Sequence, residues 1–209
     1  LASVETERQD ALRVRHIWES ARYIGEALPI SLDIRSREMA KPILHLLCGK
    51  IASGKSTLAK ALSAEHSVIL LTEDQWLTRL YPEQIRSVTD YVRLARQLRN
   101  FTGPLVIDLL KAGVTVVLDF PANTPADRQW LRSLADDAQA SHCLHFIDID
   151  DDTCRARLHR RNERGEHDFA ATDAEFDLIT SYFRAPEKEE GLNVVMHRKF
   201  DSSPEGAQS

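Results

Sequence analysis

Gly49-Lys50-Ile51-Ala52-Ser53-Gly54-Lys55-Ser56 fits the phosphate-binding loop pattern G-x-x-x-x-G-K-[ST] at every fixed position. Each fixed residue has a physical task in that pattern. The glycines let the backbone wrap closely around a polyphosphate and aim successive N–H groups at its oxygens, the lysine puts a point charge on the β- and γ-phosphates, and the hydroxyl ligates Mg²⁺. Upstream, Ile43-Leu44-His45-Leu46-Leu47-Cys48 is a short apolar run suited to a buried parallel strand. Downstream, Thr57-Leu58-Ala59-Lys60-Ala61-Leu62 are good helix formers, which sets the loop at a helix N-terminus. Strand, glycine loop and helix in this order predict a nucleoside triphosphate site formed by residues 49–57.

Strand and helix patterns go on alternating after the loop, which predicts a parallel sheet covered on both faces. Val68-Ile69-Leu70-Leu71 is the second apolar run and Val114-Thr115-Val116-Val117-Leu118 the third. Between them a helical region follows Pro82 and reaches about Lys111, with a break expected near Thr102-Gly103-Pro104. Thr124 is placed to cap the next helix, with Pro125 in its first position and Asp127 near its positive end. Cys143-Leu144-His145-Phe146-Ile147 and Asn193-Val194-Val195-Met196 read as the fourth and fifth strands. Thr172 and Glu175 form a capping-box signature for a helix through Tyr182 or Phe183.

Ligands of open α/β sheets bind outside the carboxyl ends of the strands. Besides the loop, three stretches fall there. Glu73 and Asp74 follow the second strand, where a carboxylate can accept the proton of an attacking hydroxyl while Lys55 and Mg²⁺ hold a γ-phosphate. Asp119 ends the third apolar run in the Walker B arrangement, which orients Mg²⁺ directly or through water, so Ser56 and Asp119 form the candidate metal pair. In the turn after it, Asn123 is a candidate for binding the acceptor substrate or for positioning a loop. In the third stretch Arg157, Arg161 and Arg164 share one helical face able to close over a triphosphate. Gly165-Glu166-His167-Asp168 then supplies the connection a lid needs. The acids Asp148, Asp150, Asp151 and Asp152 sit at a helix start, where capping and the helix dipole account for them.

The chain of 209 residues suits one α/β domain. A net charge of −5 and a pI near 5.9 do not suggest a surface that coats nucleic acid. A 5′-hydroxyl nucleic-acid end stays open as an acceptor. Cys48, Cys143 and Cys154 show no paired spacing and no histidine has ligand spacing, which argues against a disulfide framework or a zinc site and for a reducing, cytoplasmic setting. No apolar run approaches the ~20 residues of a membrane span, and the N-terminus lacks the apolar core of a signal peptide. Composition changes at Met39-Ala40-Lys41-Pro42, which reads like a natural protein start. Residues 1–38 then form a helical extension, with Val14, Ile17, Trp18, Ala21, Ile24 and Leu28 at helical spacing, that packs on the domain or binds a partner protein. Residues 39–200 form the main domain and 201–209 a flexible tail.

Taken together these parts resemble the P-loop kinase-like families grouped with polynucleotide kinase, zeta toxins and gluconate kinase. The resemblance is nearest to small bacterial ATP-binding proteins with an AAA_33 type of domain. It spans about Lys41 to His197, on the phosphate loop, Glu73-Asp74-Gln75-Trp76-Leu77, Val117-Leu118-Asp119-Phe120-Pro121-Ala122-Asn123-Thr124, Arg157-Leu158 and Arg161-Asn162. It implies a P-loop NTPase fold: a five-stranded parallel sheet in order 2-3-1-4-5, helices on both faces and a helical lid. It also implies Asp74 as general base, with Lys55 and the lid arginines Arg157 and Arg161 on the phosphates of ATP. Polynucleotide kinases and zeta toxins usually carry Asp-x-x-Arg, whereas Leu77 stands at the arginine's place here. The expected activity is ATP- and Mg²⁺-dependent transfer of the γ-phosphate to a hydroxyl of a small molecule, nucleoside derivative or sugar. The alternatives are a zeta-like toxin acting on a nucleotide sugar and a nucleotide-dependent switch that hydrolyses ATP slowly. Acceptor identity resides in loop shape, which the sequence does not spell out.

Overall fold

A computed structural model of the chain describes residues 41–65, 67–165 and 171–198. The N-terminal extension, the tail and residues 166–170 of the proposed lid connection lie outside them. In chain order the elements are β1 (Ile43–Cys48), α1 (Lys55–Leu62), β2 (Val68–Thr72), α2 (Glu73–Leu80), α3 (Val88–Lys111), β3 (Thr115–Pro121), α4 (Pro125–Asp137), β4 (Ser141–Ile147), α5 (Asp151–Arg164), α6 (Asp173–Ser181), a single 3₁₀ turn (Lys188–Glu190) and β5 (Val194–His197). The five strands form one sheet in the order β2-β3-β1-β4-β5, and every pairing is parallel.

Alternation along β1 divides the core. Leu44, Leu46 and Cys48 point to one face with Val116, Leu118, Phe120, Leu144 and Phe146, against Val106, Leu110, Leu131 and Leu134 of α3 and α4. Leu47, Val117 and Ile147 point to the other face, against Leu58 and Ala59 of α1, Cys154 and Leu158 of α5, and Phe176 of α6. Covering both faces is what a parallel sheet requires, since its strands are apolar on both sides. No helix among the described residues is long and apolar enough to cross a membrane.

Two expectations need correction. The break at Thr102-Gly103-Pro104 does not occur, because α3 runs continuously from Val88 to Lys111 with Pro104 inside it. Pro104 lacks the N–H that would bond back one turn. Leu94, Leu98, Thr102, Val106 and Leu110 recur every four residues, and this buried stripe carries the helix through the proline. Gly103 is buried within α3 against Leu134 and Trp130 of α4, where an added Cβ would make ordinary contact with Leu134 Cδ2 at 3.5 Å, and it forms no turn.

The third strand also runs further than expected, through Asp119 and Phe120 to Pro121. Its register against β1 shifts between Leu46 and Leu47, so that Leu47 lies opposite Pro121. Pro121 has no N–H to offer, and the backbone N–H of Ala122 donates to Leu47 O at 3.0 Å instead. This bulge draws Ala122 and Asn123 alongside the phosphate loop. The helix starts agree with their sequence signals. Thr124 Oγ1 accepts from the Asp127 N–H at 3.1 Å, Asp150 from the Thr153 N–H at 2.7 Å, and both arms of the Thr172–Glu175 capping box are made.

Candidate functional site

The phosphate loop leaves β1 at Cys48 and enters α1 at Lys55. Gly49 has φ +157°, and an added Cβ would sit 2.6 Å from Ser53 Oγ and 3.0 Å from the Ile147 carbonyl oxygen. Nothing larger than glycine fits there. Ala52 (φ 59°) and Gly54 (φ 109°) bend the backbone with left-handed dihedrals, closing the loop into a concave row of peptide groups at the start of α1. Ser53 is buried, and its Oγ has no hydrogen-bond partner among the described residues. Ile51 is half-buried and packs on the α1/α5 side of the core, while Ser56 and Thr57 are exposed at the helix start.

Three neighbours pin this loop from outside. Asn123 Oδ1 accepts the Gly49 N–H at 3.0 Å, Arg157 Nη1 donates to Ser53 O at 3.1 Å, and Lys50 pairs with Asp151 at the start of α5. Asn123 therefore positions the loop. Its backbone carbonyl also accepts the Arg184 N–H at 2.9 Å.

Lys55 folds back over the loop, its Nζ donating to Gly49 O and Lys50 O, each at 2.7 Å. Burial pulls its ammonium below the usual lysine range, and the carboxylates of Asp119 and Asp74 oppose that shift. Asp119 lies in β3 directly opposite Thr72 of β2, and Glu73 and Asp74 follow Thr72 as the first residues of α2. One step across the sheet thus separates the Walker B aspartate from the acidic pair.

Glu73 and Asp74 have different surroundings. Glu73 is completely buried, accepting from Arg99 Nε at 3.0 Å and from the Tyr91 hydroxyl at 3.0 Å. Burial raises its carboxyl above the usual range against the pull of Arg99. Arg99 reaches on to Asp127 of α4 at 2.5 Å and lies over the Trp130 ring, so Glu73 anchors α2 to α3 and α4. Asp74 is half-buried, its Oδ1 2.9 Å from the same Tyr91 hydroxyl. Burial and the two acids beside it raise the phenol well above its ordinary range, which keeps it neutral, with its single O–H shared between the two carboxyl groups.

The arginines of α5 divide their work. Arg157 is on the phosphate loop. Arg161 is partly buried, which lowers its guanidinium from the ordinary value, while Asp74 raises it. Its Nε is buried without a hydrogen-bond partner among the described residues. A buried guanidinium N–H left unpaired is costly and suits an anionic ligand. The helix ends at Gly165 in a left-handed cap.

Leu77 lies away from this group. It is completely buried between Leu94, Ala95 and Leu98, so the position that differs from Asp-x-x-Arg belongs to the α2–α3 core.

Several residues here have no signal in the sequence. Tyr91 and Arg99 set the acidic pair from 17 to 26 residues away. Arg128 is completely buried and holds Glu190 through two bonds of 2.6 and 2.7 Å, together with the carbonyls of Ala122 and Arg184 on either side of Asn123. A further group, His45, Cys143 and His145, gathers on the sheet although no local spacing announces it.

The loop is crowded against any Cβ at Gly49, a lysine turns over it, and Ser53 Oγ and Arg161 Nε have no hydrogen-bond partner among the described residues, an arrangement with the donors a polyphosphate needs. The hydroxyl of Ser56 and the carboxylate of Asp119 are oxygen donors of the kind Mg²⁺ prefers.

Comparison with known proteins agrees with this geometry. No curated protein matches the chain. Among solved structures it is similar to a Chloroflexus aurantiacus protein assigned to the kinases, at 20% identity and TM-score 0.60, covering 76% of this chain and 86% of that one. It is also similar to Chaetomium thermophilum Kti12 in complex with ADP-AlF3, at 18% identity and TM-score 0.58, covering 78% and 92%. A third is the Mycobacterium tuberculosis APS kinase CysC in complex with AMPPNP and APS, at 22% identity and TM-score 0.52, covering 77% and 91%. These likenesses establish a P-loop fold shared across most of each chain. The model of the AAA_33 family, an AAA domain, matches residues 44–186, from β1 past α6, and the chain belongs to that family.

Proposed function

We propose that the chain is an ATP- and Mg²⁺-dependent phosphotransferase that moves the γ-phosphate of ATP to a hydroxyl of a small molecule, nucleoside derivative or sugar. The observation that carries this reading is the position of Asp74. It stands two residues after Thr72, which lies directly opposite Asp119, and its carboxylate is within electrostatic reach of both Lys55 and Arg161, which suits a base for an acceptor hydroxyl.

Residues 49–57 would cradle the phosphates, with Lys55 on the β- and γ-phosphates and Arg157 and Arg161 on the transferring group. Ser56 and Asp119 would hold Mg²⁺, which would supply charge neutralisation on the β- and γ-phosphates. Asp74 takes the proton of the acceptor hydroxyl as its oxygen forms the new bond to phosphorus. The bridging P–O bond to the β-phosphate breaks, and ADP leaves. Tyr91 holds Asp74 through Oδ1 and fixes the direction of its carboxylate. Asn123 contributes by shaping the loop through Gly49. The burial of Leu77 away from this group weighs against the zeta-like and polynucleotide-kinase alternatives, which pair the aspartate with an arginine.

The test is an ATP-consumption screen against pooled nucleosides, sugars and antibiotics, with mass spectrometry for a product heavier by one phosphoryl group. An acceptor-dependent product supports the reading. ATP turnover that no acceptor stimulates favours the slow-hydrolysis switch.

A further inference from the structure

His45, Cys143 and His145 lie on two adjacent strands, on the face that carries Leu47 and Ile147. His45 of β1 is directly opposite Cys143 of β4, and His145 follows two residues later on the same face. One ligand atom from each lies within 4.8 Å of the others. His145 is buried at 6% exposure, and the other two are half-buried. The His45 Nδ1 to His145 Nε2 distance is 2.9 Å. On its far side, His145 Nδ1 is 3.1 Å from His197 Nε2 of β5.

We propose that His45, Cys143 and His145 form a Zn²⁺ site, remote from the phosphate loop, that ties β1 to β4. Two imidazoles and a thiolate are a donor set that suits tetrahedral zinc, with water in the fourth position. Zinc–nitrogen bonds of about 2.0–2.1 Å and a zinc–sulfur bond of about 2.3 Å place neighbouring ligand atoms roughly 3.3–3.6 Å apart. Binding would open the His45–His145 contact from 2.9 Å and bring Cys143 Sγ, now within 4.8 Å of both, to that separation.

His197 supports the arrangement from outside. With His145 as the donor in this contact, its Nδ1–H would be held by His197 and its Nε2 would present a lone pair toward His45 and Cys143, as a zinc-bound histidine requires. The carboxylate of Glu65 acts on His45 and adds negative charge beside the group. Gly49 is four positions beyond His45, about 13 Å along an extended strand, so this set is distinct from the Ser56–Asp119 pair and softer in character. On binding, the Cys143 S–H bond breaks and a zinc–sulfur bond forms. One proton passes to the buffer, and His45 shifts its ring proton from Nδ1 to Nε2 without losing it.

The experiment uses tag-free full-length protein stripped with chelator and titrated with Co²⁺ as the spectroscopic probe, then with Zn²⁺. The expected result is one Co²⁺ per chain, with a thiolate-to-cobalt charge-transfer band and the visible bands of a tetrahedral ion, both erased by Zn²⁺. Calorimetry in buffers of different ionisation enthalpy should report about one proton released per Zn²⁺. Cys143→Ser should abolish the charge-transfer band, and His45→Gln should weaken Co²⁺ binding at least 10-fold. His159→Gln, on the exposed face of α5, should change neither. A hundredfold excess of Zn²⁺ over its dissociation constant should raise Tm by about 5–10 °C. A wild-type titration without a saturable thiolate band overturns the site whether or not the variants fold. So does a band that survives in a folded Cys143→Ser protein.

Discussion

Arg128→Met is the substitution whose cost the structure defines most fully. Arg128 is 0% exposed and carries the Glu190 carboxylate on two nitrogens, with the carbonyls of Ala122, Arg184 and Ala185 around it. Methionine has similar reach and fills much of the same space, so the loss is mainly electrostatic and hydrogen-bonding. Breaking a buried pair by removing one partner costs about 3–5 kcal/mol. Glu190 keeps some access to water, its side chain being 18% exposed, which places the cost at the lower end, about 3 kcal/mol. For a chain of this length that corresponds to a fall in Tm of about 6–12 °C. Thermal and urea unfolding of the two proteins would measure it. Glu190→Gln should cost about 1–2 kcal/mol in the wild-type background and close to nothing beside Arg128→Met, because the two share one interaction. Ala122 and Arg184 flank Asn123, so Arg128→Met should also weaken nucleotide binding through the Asn123–Gly49 contact. A stability change under 1 kcal/mol, or an undiminished Glu190→Gln effect in the double variant, refutes this account of the buried arginine.

Gly49→Ala places a Cβ 2.6 Å from Ser53 Oγ and 3.0 Å from the Ile147 carbonyl oxygen. ATP affinity by calorimetry should fall at least 10-fold, and an unchanged value would mean the loop is not the nucleotide site. The hydrogen bond from Arg128 holds the Glu190 carboxyl below its ordinary value of 4.5. Its stabilisation is therefore complete above that value and lost as pH falls through the depressed one. Acid unfolding of Glu190→Gln should lack this component, and identical acid limbs would contradict it. Arg161→Met should reduce phosphoryl transfer far more than ATP binding, by up to about 10³-fold for a guanidinium that meets the transition state. An equal loss in both would make Arg161 a binding residue alone.

What the sequence revealed was local. The phosphate loop, the strand before it and the helix after it are contiguous, and the caps at Thr124, Asp150 and Thr172 sit within three residues of the groups they satisfy. Pro104 misled because a proline signal is read one turn at a time, whereas the buried stripe of α3 extends over the whole helix. The sequence marks Asn123 as a substrate-binding or loop-positioning residue, and the bulge at Pro121 brings it to Gly49. Arg99 and Arg128 meet acids 26 and 62 residues away, and His45 meets His145 across 100. The first two meetings are products of helix packing and the third of strand order and register, which no spacing along the chain encodes. Leu77 shows the same limit in reverse, since a departure inside a site motif proves to be a core residue of α2.

Asp74→Asn probes the base proposed for the acceptor hydroxyl. Asparagine keeps the shape and can still meet the Tyr91 hydroxyl, but it cannot take a proton. With an acceptor from the product screen in hand, ATP affinity and phosphoryl-transfer rate would be measured on the same preparation. ATP affinity should stay within a few-fold of wild type while transfer slows by roughly 10²–10⁴. Transfer at the wild-type rate would contradict it.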